Sequence, residues 1–364
     1  MPSELTVKRR LSPPLNSRTD QLSKTYPSVK KIGRPLYRTE MGAAFLGDSQ
    51  KLLARVPSDS IDLIFTSPPF ALRRKKAYGN QPANLYVEWF LGFAREFKRV
   101  LKDTGSLVID IGGSWNPGEP TKSLYHYKLL IALVEQMGFN LAQEVFWYNP
   151  ARLPTPAQWV CIERTRLKDA VNMVWWLSKT ADPKADNRRV LTEYKQGQRA
   201  LVNGTPYNEG IRPSEHVISD KFGVNNGGAI PPNFLDEEVL ESLLRDNLIR
   251  AANTAANDPY SVGCKLINTG LHPARIPSAV PEFFIRLLTE PGDLILDPFA
   301  GSNVTGAVAE EYERHWIAME QEIQYLFASQ TRFVEDATSL LTRPGHPDFD
   351  AIIQTLLEQS QTTP

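Results

Sequence analysis

Short apolar runs separated by helical stretches constrain this chain more than any other feature. "AAFLGDS" from Ala43, "IDLIFTS" from Ile61, "SLVIDIG" from Ser106, "EVFWYNP" from Glu144 and "VNMVWWLSK" from Val171 are too short for independent helices and almost wholly apolar. A short helical segment follows the first run. An amphipathic one spans about Tyr86 to Lys102, and a third lies around Ser123 to Met137. Strands with no polar side to offer solvent must be covered on both faces, which predicts a mainly parallel sheet between helices. The chain is therefore expected to be α/β with one layered core.

The rhythm stops near residue 181 and resumes at "PEFFIRLL", a helix, followed by the strand "DLILDPFAG". A helix from about Asn303, the strand "HWIAME" and a last helix "QEIQYLFASQTRFVED" complete it. Between the two blocks, residues 181–270 are rich in Asn, Gly, Pro and charge, with one helix expected near Asp236 to Arg250. That stretch is too long for a plain connector, and Tyr207, Val217, Ile218, Phe222 and Phe234 scattered through it favour a small inserted lobe. The reading is thus a basic, largely irregular arm at 1–40 and half of the core at 41–180. The lobe at 181–270, the other half of the core at 271–343 and an acidic tail at 344–364 follow.

Charge excludes one class of partner and leaves another open. Lysine plus arginine equals aspartate plus glutamate at 41 each, which argues against a protein that coats nucleic acid without selectivity, while permitting a local basic cleft. Cys161 and Cys264 lie far apart with no His or Cys at metal-ligand spacing, so neither disulfides nor a metal is expected. "MPSELTVKRR" lacks an apolar core and no long apolar stretch follows; neither a signal peptide nor a membrane span is expected, and the expected location is cytoplasmic.

Two strand ends carry residues suited to chemistry. "LILDPFAGSNVTG" is a buried strand running through Asp297, Phe299, Ala300 and Gly301 into a helix start where Ser302 and Thr305 can cap or donate. Glycine at the carboxyl end of such a strand lets a ligand approach backbone and helix terminus. Glu320, about 20 residues on at the end of the next strand, stands where a carboxylate accepts from ribose hydroxyls. Asp48, at another strand end, suits either an adenine amino group or a helix cap. The turn is not the dinucleotide GxGxxG, so a nucleoside ligand other than a nicotinamide is indicated.

The second strand end is "TSPPF". Consecutive prolines hold Ser67 and Pro68 extended and Pro69 offers no N–H, so a hydroxyl and a carbonyl stand side by side as rigid acceptors. Such a corner suits an exocyclic amino group, with Phe70 as a face for a planar ring. The other Ser-Pro-Pro, at Ser12–Pro14, follows no strand and reads as linker. Directly after the corner, "RRKKAYGN" sets Arg73, Arg74, Lys75 and Lys76 where they could meet phosphates flanking an extruded nucleotide. The five histidines form no triad; His272 and His216 are expected to be structural or DNA-facing.

"TSPPF", with "GDS" before it, and "DPFAG", with "HPARIP" before it, together resemble the β-order amino-methylating DNA methyltransferases. The closest likeness is to the N4-cytosine enzymes of type II restriction-modification systems, over roughly residues 40–335. The resemblance implies S-adenosylmethionine as methyl donor, no metal, and a Rossmann-like, seven-stranded, mainly parallel sheet. It also implies a target-recognition region at 181–270, double-stranded DNA as partner and a cognate restriction endonuclease in the same system. By position it implies that Ser67 and Pro68 hold the target amino group, with Pro69 completing the catalytic corner, and that Phe70 stacks on the flipped base. Asp297 to Gly301 would shape the cofactor turn, Glu320 would bind ribose and Asp48 adenine, and Pro273 and Arg275 would lie near the methionine end. A structural salt bridge is the other reading of Arg275.

The expected activity is methyl transfer to cytosine N4, without a covalent enzyme intermediate. Neither cysteine has the proline-preceded setting that C5-cytosine chemistry uses. N6-adenine methylation stays open, because its amino group needs the same acceptors; Ser before Pro-Pro is typical of the cytosine enzymes. An inactive DNA-binding relative of the same fold is a further alternative.

Overall fold

The computed structural model describes residues 24–71, 81–205, 210–211, 217–218, 223–243, 258–266 and 269–334. The basic run Arg73 to Lys76, the Ser12–Pro14 linker and the tail after Arg343 lie outside the described residues.

Strands β1 (Tyr37–Arg38), β2 (Gly42–Leu46), β3 (Ile61–Thr66), β4 (Leu101–Ile111), β5 (Asn140–Tyr148) and β6 (Val171–Ser178) come from the first block. A separate two-stranded ribbon, β7 (Gly210–Ile211) with β8 (Val217–Ile218), and β9 (Phe234–Leu235) come from the middle region. Then come β10 (Leu294–Asp297) and β11 (His315–Glu320). Among the described residues the main sheet has nine strands in the order β1-β2-β11-β10-β3-β4-β6-β5-β9. Its centre is parallel, and β6 runs antiparallel to both neighbours.

Successive residues of the central strands enter opposite layers. Leu294 and Leu296 pack with the helix Tyr86–Val100 on one side, whereas Ile295 packs with the helix Ala279–Leu288 on the other. Strand β3, buried at every residue, divides in the same way, with Ile64 in one layer and Phe65 in the other. Two covered faces explain why these strands read as continuous apolar runs rather than alternating ones.

Nine strands replace the seven expected. The additions are the two-residue edge pairings of β1 with Ala43–Ala44 and of β9 with Phe146–Trp147, each too short to show any periodicity. The arm expected to be irregular up to residue 40 is packed at its end. Pro27–Ile32 forms a 3₁₀ turn whose Val29 and Ile32 enter the core, and Tyr37 is buried. Of the helix expected over Asp236 to Arg250, Glu237–Leu243 is described. Among the described residues no helix is long and apolar enough to cross a membrane.

The topology locates a crevice. From β10 the chain moves outward to β11, while from its neighbour β3 it moves the other way to β4. Adjacent strands whose connections diverge leave a gap beyond their carboxyl ends, where open α/β sheets bind ligands. Ser67–Phe70 follows β3 there, and Pro298–Ser302 follows β10.

Candidate active site

The corner after β3 is held by two buried carboxylates. Thr66 Oγ1 donates to Asp297 Oδ1 at 3.0 Å and Ser67 Oγ donates to Asp110 Oδ2 at 3.0 Å. Asp110 projects from β4, next to β3 in the sheet, where Thr66 pairs with Ile109. Its Oδ1 accepts from Trp147 Nε1 at 3.0 Å and Asn172 Nδ2 at 3.4 Å, and Asn172 Oδ1 accepts from Arg152 Nη1 at 2.7 Å. Burial raises the Asp110 carboxyl above its ordinary pKa; the hydrogen bonds from Trp147, Ser67 and Asn172 and the Arg152 charge act against it. With its proton committed to Asp110, the Ser67 oxygen is left to act as an acceptor.

The turn after β10 is built around the other carboxylate. Asp297 also accepts from Thr305 Oγ1 at 2.7 Å and Phe299 N at 3.1 Å, and burial lifts its pKa to about 6. Gly301 adopts φ +50°, and a Cβ there would stand 3.1 Å from the His272 ring, so conformation and space both call for glycine. Its N–H donates to Glu320 Oε2 at 2.7 Å, while Glu320 Oε1 accepts from the N–H groups of Gln321 and Glu322 at 2.9 Å each. Burial nevertheless dominates and pushes Glu320 up to about 7. Asp48 is exposed and caps the helix Ser49–Leu53 through Gln50 N at 3.0 Å, while Ser49 Oγ, donating to Pro298 O at 2.6 Å, ties the two turns together.

Between the corner and the turn lies a cavity of about 330 Å³. Its lining carries the polar side chains of Asp48, Gln50 and Glu320, the aromatic rings of Trp89, Phe93 and Phe299, and the corner from Ser67 to Phe70. The Phe299 ring lies 4.9 Å from Phe93 and 5.8 Å from Trp89 between centroids. A side pocket of about 40 Å³ reaches Asp297, Ala300, Gly301, Ser302 and Thr305 and shares Ser67 with the main cavity. A volume in this range suits a small organic ligand.

The structure therefore brings together the corner, the turn, Asp48 and Glu320. Two anticipated residues are not brought in. Pro273 lines neither cavity, although His272 and Ala274 beside it line both. The Arg275 guanidinium is turned away to Asp258 at 3.1 Å and Ser261 Oγ at 3.2 Å, because a largely buried cation is held by the buried acid beside it; the salt-bridge reading describes it. His272 is closer to the chemistry than expected. Burial lowers its pKa to about 4, so near neutral pH it is an uncharged ring, with Nδ1 2.8 Å from Ala274 O.

Asp110, Trp89, Phe93 and Gln50 were not anticipated. A lone acid inside the apolar run "SLVIDIG" was the available signal for Asp110, since an unpartnered buried carboxylate is costly.

A family model described as DNA methylase, of the N6 and N4 type, matches residues 61–331. Type II methyltransferase M.PvuII of Proteus hauseri is 44% identical over 308 residues, spanning 84% of this chain and 88% of that protein. DNA adenine methyltransferase YhdJ of Escherichia coli is 26% identical over 290 residues, 77% of this chain and 78% of that one. A solved structure described as PvuII DNA methyltransferase (cytosine-N4-specific) has a TM-score of 0.65 at 40% identity, over 83% of this chain and 90% of that chain. The chain belongs to the N6/N4 DNA methylase family.

Proposed function

We propose that this protein transfers a methyl group from S-adenosylmethionine to the N4 amino group of a cytosine extruded from duplex DNA, as the modifying partner of a restriction endonuclease. The observation that carries this reading is the neutral Ser67 hydroxyl, oriented by buried Asp110, in a cavity that Glu320 and Asp48 also line. The 40% likeness to a cytosine-N4-specific enzyme supports cytosine over adenine, against 26% to an adenine enzyme.

The cavity's chemistry fits the donor. Glu320 would accept from ribose hydroxyls, Asp48 from the adenine amino group, and Phe299, Phe93 and Trp89 would enclose the flat ring. S-adenosylmethionine supplies an electrophilic methyl on a positively charged sulfur. The protein's own task concerns the nucleophile. The lone pair of an aromatic amine is delocalised into its ring, so Ser67 Oγ and the Pro68 carbonyl accept its two hydrogens and hold the nitrogen in line, while Phe70 fixes the base plane. Asp110 keeps the Ser67 hydrogen turned away, and its carboxylate would favour the positive charge that develops on the amine nitrogen as its lone pair takes the methyl, a charge discharged when the nitrogen releases a proton to solvent.

The test is the product. Duplex DNA incubated with the protein and labelled S-adenosylmethionine, then digested to nucleosides, is expected to carry label in N4-methylcytosine by mass spectrometry. Label in N6-methyladenine would transfer the assignment to the adenine reaction, and label in 5-methylcytosine would overturn the mechanism.

Glu320 gives the donor site a pH signature. Protonation becomes favourable as pH falls through about 7, and a protonated carboxyl is the poorer acceptor for ribose hydroxyls. Donor affinity should therefore be full above that point and fall below it. Calorimetry at about pH 6 and about pH 8 should show this for the native protein and a flat profile for Glu320→Gln. Glu320→Ala should cost about 1–3 kcal/mol at the higher pH. Unchanged affinity in both variants would return Glu320 to a purely structural role.

A further inference from the structure

Of segment 149–170, which joins β5 to β6, only Arg152 takes part in the site described above. It leaves the sheet beside the catalytic corner: Met173 pairs with Ile111 at the end of β4, and Val171 pairs with Tyr148. A hydrogen-bonded series runs from Arg152 in this segment through Asn172 and Asp110 to Ser67. The segment is anchored on the loop that follows β4. The Trp115 and Trp159 rings lie 5.5 Å apart, Arg166 Nε donates to Pro120 O at 3.0 Å, and Lys122 pairs with Asp169.

Its outer surface combines two properties that rarely share a solvated loop. Leu153, Ile162 and Leu167 are 73%, 69% and 90% exposed. Beside them stand Arg152, Arg164, Arg166 and Lys168, against Glu163 and an Asp169 already paired with Lys122, in a chain whose total charge is zero. Among the described residues no carboxylate pairs with Arg164, Arg166 or Lys168. Exposed apolar side chains within a positive surface match a duplex, which offers phosphates to the cations and a base stack to an apolar wedge.

We infer that segment 149–170 is a DNA-docking arm, in which Arg164 and Lys168 meet backbone phosphates and Leu153 enters the base stack where the target nucleotide has left it. The inference rests on the reading of the protein as a base-extruding methyltransferase. Leu153 is assigned the wedge because it adjoins Arg152, the residue linked to the corner, and because its turn is stiff. Pro150 and Pro154 flank it, Arg152 N donates to Asn149 O at 3.2 Å and Thr155 N to Leu153 O at 2.8 Å. A wedge presented rigidly loses little freedom on insertion. Filling the vacated space favours the extruded state, whose formation breaks stacking and pairing.

Two measurements on the full chain test this. In the first, binding to a duplex of arbitrary sequence is followed against salt. Arg164→Ala with Lys168→Ala should lower the slope of log K against log salt by about 1.8, the release expected for two phosphate contacts. An unchanged slope would overturn the docking surface. In the second, Leu153→Ala and Leu153→Met are compared on the methylated site, once matched and once with a mismatch opposite the target base. Leu153→Ala should lose about tenfold in kcat/KM on the matched duplex and come within about threefold of the native protein on the mismatched one, where opening is easier. Leu153→Met should remain active, and S-adenosylmethionine affinity should not change in either. Equal losses on both duplexes, or none, would overturn the wedge. A native protein that methylates no DNA would overturn the proposed function and the wedge together, while the salt slope would still decide the docking surface.

Discussion

Changing Asp110 to asparagine is expected to slow single-turnover methyl transfer by on the order of 100-fold or more, with S-adenosylmethionine bound as before. The carboxylate accepts from Ser67, Trp147 and Asn172 at once, which requires acceptor character at both oxygens. An amide has one oxygen. If its NH₂ faces Ser67, the serine must turn its own hydrogen into the cavity and meets the substrate amine donor to donor. If it faces Trp147 and Asn172, two buried donors lose their acceptor. Asparagine has nearly the same volume, so packing is kept. Burial has raised the Asp110 pKa, so ionised Asp110 adds no stability as pH rises through its folded value. Loss of rate is therefore not expected to come from unfolding. The native rate should fall as pH drops, at a point above the ordinary carboxylate range, and the variant should lack that limb. A near-native rate, or an unchanged acid limb at saturating donor and DNA, would remove Asp110 from the mechanism.

How much of this was legible follows from what each residue needs around it. The buried strands could be read because they lie between two layers and carry no polar face. The corner could be read because two prolines fix direction without help from distant parts of the chain. The turn after β10 shares that local character, since Gly301 and the residues around it belong to one strand-turn-helix unit. Asp110 is different: its meaning comes from Trp147, Asn172 and Ser67, which only the sheet order brings together. Trp89 and Phe93 lie in the stretch read as an amphipathic helix, whose apolar stripe, with Phe90 and Phe97, is largely core. Their use as a cavity wall depends on Phe299, about 200 residues later, arriving opposite them. Arg275 fitted the ligand end by position, yet Asp258 lies closer. Where a partner is set by tertiary neighbours, spacing along the chain cannot choose it.

Gly112 offers a way to disturb the proposed base site without changing any residue assigned to meet the base. It follows β4 and lies under Phe70, and a Cβ added there would stand 2.7 and 2.8 Å from two carbons of that ring. The backbone is poorly placed to retreat, because the Tyr125 hydroxyl donates to Gly112 O from a helix packed in the core. The ring must yield instead. Gly112→Ala is therefore expected to lower turnover by on the order of 100-fold, as Phe70→Ala should, with a stability cost of about 1–3 kcal/mol and unchanged donor binding. If the glycine acts through the ring, the two changes cannot both take full effect. In the Phe70→Ala background the added methyl finds space, and Gly112→Ala should then cost no more than about threefold. Losses that multiply in the double variant would mean that Gly112 serves something other than Phe70. Full activity of Gly112→Ala alone would mean that the stacking face tolerates displacement and that Phe70 does not orient the base.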